Sequence, residues 1–84
     1  MNAAVLSRVQ RIMADVFSIP VEQVTLESSS ETIESWDSLQ HLNLMLALEQ
    51  EFGLELLPEE VERLVSLHDI ATLVSDKLQA AKAV

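Results

Sequence analysis

Apolar residues recur along this 84-residue chain at the three-and-four spacing of amphipathic helices, and no stretch alternates strongly as a half-buried strand would. In the first segment Val5, Val9, Ile12 and Val16 repeat on one side, and Leu6, Met13 and Phe17 widen the stripe. This predicts a helix from about Ala3 to Phe17 with Asn2 as its N-cap. Ser18-Ile19-Pro20 ends it, because a proline disfavours helical backbone in the residue before it. A second helix is expected over Ser38–Phe52, closed by Gly53 as C-cap. Pro58 suits the first position of a short third helix, Pro58 to Leu64. Glu59 and Glu60 lie in its first turn, and Val61, Leu64 and Leu57 face inward. Ser66-Leu67-His68-Asp69 resembles a capping box with Asp in place of Glu. It opens a fourth helix reaching about Lys82, with Leu67, Ile70, Leu73, Val74 and Leu78 inward. The fold class is therefore all-α: an antiparallel four-helix bundle with a short third helix and a long loop between helices one and two.

The second helix is richer in leucine than one core needs. Turned through about 100° per residue, Leu44, Leu48, Phe52 and Met45 share one arc, and Leu39, Leu42 and Leu46 share another. The excess predicts an exposed apolar strip of the kind that meets partners. Periodicity alone fits a wide buried helix equally well. The connection from Val21 to Asp37 is unusually long, and such loops are functional or disordered. Val24, Leu26, Ile33 and Trp36 are spaced along it, which predicts a loop pinned to the core, with a helical turn over Val21-Glu22-Gln23-Val24. Ser28-Ser29-Ser30 reads as plain loop.

The chain suits one domain, residues 1–84, and is too short for two. A domain this size buries only roughly 60–65% of its unfolded surface, which leaves little room for a deep catalytic cleft. There is no cysteine, so disulfides, thiolate metal sites and a cysteine nucleophile are excluded. No apolar run approaches the ~20 residues of a membrane span. With no signal-peptide pattern at the N-terminus either, a soluble cytoplasmic protein is expected. Fourteen acids against five bases give a net charge of -9, which repels nucleic acid and attracts basic patches on protein partners. With 49% apolar residues the chain is expected to fold despite that charge.

The one plausible chemical centre is Trp36-Asp37-Ser38-Leu39, which puts a serine hydroxyl beside a carboxylate at a helix start. Asp37 and Ser38 are both good caps, and capping alone would explain them. A hydrolase is not readable, because no His/Asp partner set accompanies Ser38. His41 and His68 are far apart and belong to no cluster at metal-ligand spacing, so no metal site is expected. His68 reads as a first-turn surface residue. His41 falls three residues after Ser38 on the core side, where packing or solvation suits it. Trp36 reads as a loop anchor.

Asp37-Ser38-Leu39, then Leu42, Leu44, Leu46-Ala47-Leu48-Glu49 and Glu51-Phe52-Gly53-Leu54-Glu55-Leu56, resembles the acyl carrier protein family over nearly the whole chain. Asp-Ser-Leu alone is common; joined to the Ala47-Leu48-Glu49…Glu51-Phe52-Gly53 register it is specific. The resemblance implies that Ser38 carries 4′-phosphopantetheine through a phosphodiester, installed from coenzyme A by a phosphopantetheinyl transferase, usually with magnesium. The arm's thiol would carry acyl or aminoacyl groups as thioesters between a loading enzyme and a downstream transferase or synthase. The chain would be a monomeric carrier and not an enzyme. Asp37 would orient Ser38 and cap the helix. Leu39, Leu42, Leu46 and Glu49 would meet partners. Leu48, Phe52, Leu56, Val61, Leu64 and Leu67 would line the inter-helix space, although core packing would also explain them.

Gln40 and Asn43 stand where carriers of fatty-acid synthesis tend to have acids. That departure, with Trp36, points to a specialised member, and Met1 without a flanking linker to a stand-alone one. Two alternatives stay open: an aminoacyl or peptidyl carrier of a specialised pathway, and an unmodified helical adaptor that binds partners through the Ser38–Phe52 helix.

Overall fold

The computed structural model describes residues 3–82. Four α-helices follow in order: α1 (Ala3–Phe17), α2 (Ser38–Phe52), α3 (Pro58–Arg63) and α4 (Leu67–Lys82), with a 3-10 turn over Val21–Gln23. The expected bounds of α1 and α2 hold, and α3 stops one residue early, with Leu64 as its C-cap. The N-cap expected at Asn2 lies outside the described residues. Among the described residues, no helix is long and apolar enough to cross a membrane.

α1 packs against both α2 and α4. Its buried face is Val5, Val9, Met13, Ala14 and Phe17, with Leu6, Ile12 and Val16 partly covered at the rim. The core continues through Leu44, Leu48, Leu67, Ile70 and Val74, all essentially inaccessible to water. The end of α1 takes a left-handed residue at Ser18 (φ 56°), which lets the Ile19 amide return to the Ala14 carbonyl at 3.1 Å. α2 ends in the same way. Gly53 has φ 62°, and the Leu54 amide donates to the Glu49 carbonyl at 3.2 Å.

The long first loop is tied down along its whole length. Val24, Ile33 and Trp36 are buried in the core, while Leu26 is left exposed. The first amides of α4 are satisfied by this loop: Leu67 donates to the Ser28 carbonyl at 3.0 Å and His68 to the Leu26 carbonyl at 3.2 Å. The capping box expected at Ser66 is accordingly only half formed. Ser66 Oγ accepts from the Asp69 amide at 3.2 Å, but the Asp69 carboxylate turns to the Val65 amide at 3.4 Å. At its other end the loop serves α1, where Ser35 Oγ donates to the Phe17 carbonyl at 2.9 Å. These contacts fix where the chain enters α2.

The six-residue α3 is too short to stand on its own hydrogen bonds. Glu60 Oε1 accepts from the Leu57 amide at 3.0 Å and pairs with Lys77 of α4 at 2.8 Å. Leu57 itself, the extended N-cap of α3, is exposed, against expectation. Leu64 is buried and Val61 partly so.

Candidate functional site

The start of α2 is set by Asp37. Its backbone is extended, and its Oδ1 accepts from the Gln40 amide at 2.8 Å while its carbonyl takes the His41 amide at 2.8 Å. Asp37 thus does the capping, and Ser38 becomes the first helical residue. Of the two candidate caps, Asp37 takes the role, as expected of it. The Ser38 side chain is exposed, and its hydroxyl and backbone amide have no hydrogen-bond partner among the described residues.

Beside Ser38 lies an open cleft of about 500 Å³ between the start of α2, the loop before it and the end of α3. Trp36, Leu42, Leu64 and Val65 form its apolar walls, and Asp37 and Glu62 are its acids. Among the described residues no lysine or arginine lines it. An anion at Ser38 would therefore meet positive potential chiefly from the free amides and dipole at the start of α2.

Trp36 anchors the approach to the site. It is buried, stacks on Phe17 with ring centroids 5.0 Å apart, and donates its indole N–H to His41 Nδ1 at 3.0 Å. His41 Nε2 lies 3.0 Å from the Val61 carbonyl. An indole N–H only donates, so Nδ1 is the acceptor and the proton sits on Nε2, which donates to Val61. His41 is thus a bridge between the loop, α2 and α3. Sequence reasoning gave it a packing or solvent role and missed the bridge; the signal was an aromatic donor five residues before a histidine on the core side.

The two arcs of α2 separate cleanly. Leu44, Met45, Leu48 and Phe52 are buried, whereas Leu39, Leu42 and Leu46 are 67%, 57% and 57% exposed. The wide buried helix is excluded. The uncharged residues among them are also ordered: Gln40 donates to the Val16 carbonyl at 3.2 Å and accepts from Asn43 at 2.7 Å. Glu49 is half-buried and has an internal partner, since its Oε2 accepts from the Leu56 amide at 2.9 Å. Glu51 is bound by Arg8, which also lies over the Phe52 ring at 4.4 Å. The outward face of α2 is therefore apolar and amide-rich, and its acids are engaged in holding the fold. Leu48, Phe52, Leu56, Leu64 and Leu67 are buried, with Val61 partly covered, and all pack in the core. Among the described residues no group of three or more His, Asp or Glu is placed to hold a metal ion.

Comparison with known proteins gives this arrangement a family. Residues 7–74 match the family model described as a phosphopantetheine attachment site. The chain is 37% identical over 79 residues to an acyl carrier protein of Thermosynechococcus vestitus, covering 94% of this chain and 98% of that one. It is 34% identical over 71 residues to an acyl carrier protein of Petrotoga mobilis, covering 84% of each. Its fold is similar to the solution NMR structure of a holo acyl carrier protein from Geobacter metallireducens, with a TM-score of 0.83 at 32% identity over 93% of this chain and 90% of that one. The chain belongs to the acyl carrier protein family and is a carrier that holds acyl groups as thioesters on a covalently attached 4′-phosphopantetheine arm.

Proposed function

We propose that Ser38 is the residue that bears the arm. The observation that carries this is the division of labour at the start of α2: Asp37 caps the helix, and the Ser38 hydroxyl is left exposed and unpartnered among the described residues. The surroundings fit the group. A phosphodiester on Ser38 would lie at a helix start with the Ser38 amide free, and the cleft's apolar walls suit the chain that follows the phosphate. The arm supplies the thiol that this cysteine-free chain lacks. Asp37 orients the hydroxyl by fixing the first turn, and its carboxylate would help hold the metal ion of the modifying enzyme.

In this reading residues 1–84 form one carrier domain that works as a monomer in the cytoplasm and catalyses nothing itself. A phosphopantetheinyl transferase, an acyl-loading enzyme and a downstream transferase or synthase each engage it in turn. Leu39, Leu42 and Leu46 form the docking strip beside the arm, and Glu49 borders it with whatever charge the Leu56 amide leaves free. The replacement of acids by Gln40 and Asn43 supports a specialised partner set rather than that of fatty-acid synthesis. The same neutral face admits a second reading in which the cargo is an amino acid or peptide on the same arm.

Intact mass tests the proposal. Incubation with coenzyme A, magnesium and a broad-specificity phosphopantetheinyl transferase adds one phosphopantetheine to the wild type and none to Ser38→Ala. An unmodified wild type, beside a control carrier that is modified, would sink it. Equal modification of Ser38→Ala would move the arm elsewhere.

A further inference from the structure

We propose that His41 is a positioning residue for the attachment site: a latch that holds the loop before Ser38 against α3 and so gives the cleft beside Ser38 one shape. The inference rests on Ser38 as the arm-bearing residue and goes beyond it by naming what sets the geometry around that serine.

Three observations converge. The Trp36 indole stacks on Phe17 with centroids 5.0 Å apart, and the His41 ring lies nearly coplanar with the indole, edge to edge through their hydrogen bond, with centroids 6.0 Å apart. His41 accepts from Trp36, two residues before Ser38, and donates to the Val61 carbonyl in α3. That carbonyl belongs to the last turn of a six-residue helix, where its internal partner, the Leu64 amide, is 3.3 Å away. An imidazole N–H therefore completes the C-terminal end of α3. Both Trp36 and His41 also line the cleft that Ser38 shares with Leu64 and Val65.

The consequence is mechanical. α3 is held at its start by Glu60 and at its end by His41, and its last turn leads into the cleft wall at Leu64 and Val65. Releasing the latch frees that wall and unties Trp36 from α2 in one step, so the position of Ser38 and the width of the cleft are coupled. A neutral ring with its proton on Nε2 satisfies all of this. A ring protonated on Nδ1 would face the indole N–H with a second donor and would break the bridge.

The test uses the whole of residues 1–84, and its first arm needs no phosphopantetheine on Ser38. Long-range proton–nitrogen NMR should show His41 protonated on Nε2, with the Trp36 indole proton protected from exchange. The second arm is the kinetics of phosphopantetheine transfer. His41→Phe keeps a flat ring and loses both hydrogen bonds, so a smaller share of the carrier is competent to dock. KM for the carrier then rises about tenfold with kcat unchanged. His41→Gln, whose amide both accepts and donates, recovers to within about twofold. Trp36→Phe, which removes the donor alone, raises KM less than His41→Phe, and it stands in should that variant fail to fold. A ring protonated on Nδ1, a wild-type KM in His41→Phe, or a His41→Gln as impaired as His41→Phe would overturn the latch. A wild type that accepts no arm would defeat the Ser38 assignment instead, leaving the NMR arm to judge the latch.

Discussion

Gln40 in α2 donates its side-chain amide to the carbonyl of Val16 in α1, 3.2 Å away, and so ties the first turn of one helix to the last turn of the other. A carboxylate at this position would have no proton to give and would set its charge against a carbonyl oxygen. Gln40→Glu, which restores the acid expected of fatty-acid-synthesis carriers, should therefore destabilise the fold by about 1 kcal/mol. Denaturant unfolding of the two proteins checks this, and an unchanged midpoint would show that the bond contributes nothing. The amide at residue 40 is thus a structural element of this chain as well as a change of surface charge.

The exposed and buried leucines of α2 predict opposite mutational signatures. Leu42→Ala or Leu46→Ala should move stability by no more than about 0.5 kcal/mol, because these side chains are mostly in solvent. Leu44→Ala, at a fully buried position, should cost about 2–5 kcal/mol. If Leu39, Leu42 and Leu46 are the docking strip, their alanine variants should weaken transfer by a cognate enzyme while leaving the unfolding curve in place. The α2 contribution to docking should also depend only weakly on salt, since its outward face carries leucines and amides. A steep salt dependence abolished by neutralising Glu49 would contradict this.

Glu60 makes stability depend on acidity in a defined direction. Its hydrogen bond and ion pair with Lys77, followed by the Leu57 amide, hold its carboxyl below the ordinary value of 4.5. A carboxyl whose folded pKa is depressed stabilises the fold fully above its unfolded pKa, and that contribution fades as pH falls through the folded value. The stability gap between wild type and Glu60→Gln should therefore be constant at neutral pH and close below about pH 4.5. Thermal melts across that range check it, and a gap that widened on acidification would reverse the assigned sign.

Ser18 sits at φ 56°, a conformation that glycine adopts without the steric penalty a Cβ brings. Its side chain is exposed. Ser18→Gly should therefore raise stability by roughly 0.5–1 kcal/mol, read as a shift in the unfolding midpoint. Ser75 offers a second such site. Its buried hydroxyl has no partner among the described residues, so Ser75→Ala should be neutral or stabilising.

The parts of this fold that were legible in the sequence are those set by local pattern. α1 and α2 carry strong apolar periodicity and clear stop signals in Pro20 and Gly53, and their bounds follow. Which arc of α2 faces inward was not decidable from periodicity, because both arcs are apolar and only the position of α1 tells them apart. Leu57 was misjudged because apolarity suggested burial, whereas it stands outside the first turn of α3 as its N-cap. At the site, Asp37-Ser38 was visible as a pair of good caps, and the choice of Asp37 over Ser38 rests on where the amides three and four residues after Asp37 point. The Trp36–His41–Val61 bridge was invisible for a similar reason. It closes over twenty residues and exists only once α3 is placed against α2.

The central claim is that the arm sits on Ser38, and tandem mass spectrometry of the modified protein tests it most directly. After transfer from coenzyme A, the proteolytic fragment containing Trp36–Leu39 should carry the added mass and eject the pantetheine group on fragmentation, with the site assigned to Ser38. Added mass on any other residue, or none in a sample where a control carrier is fully modified, would contradict the account.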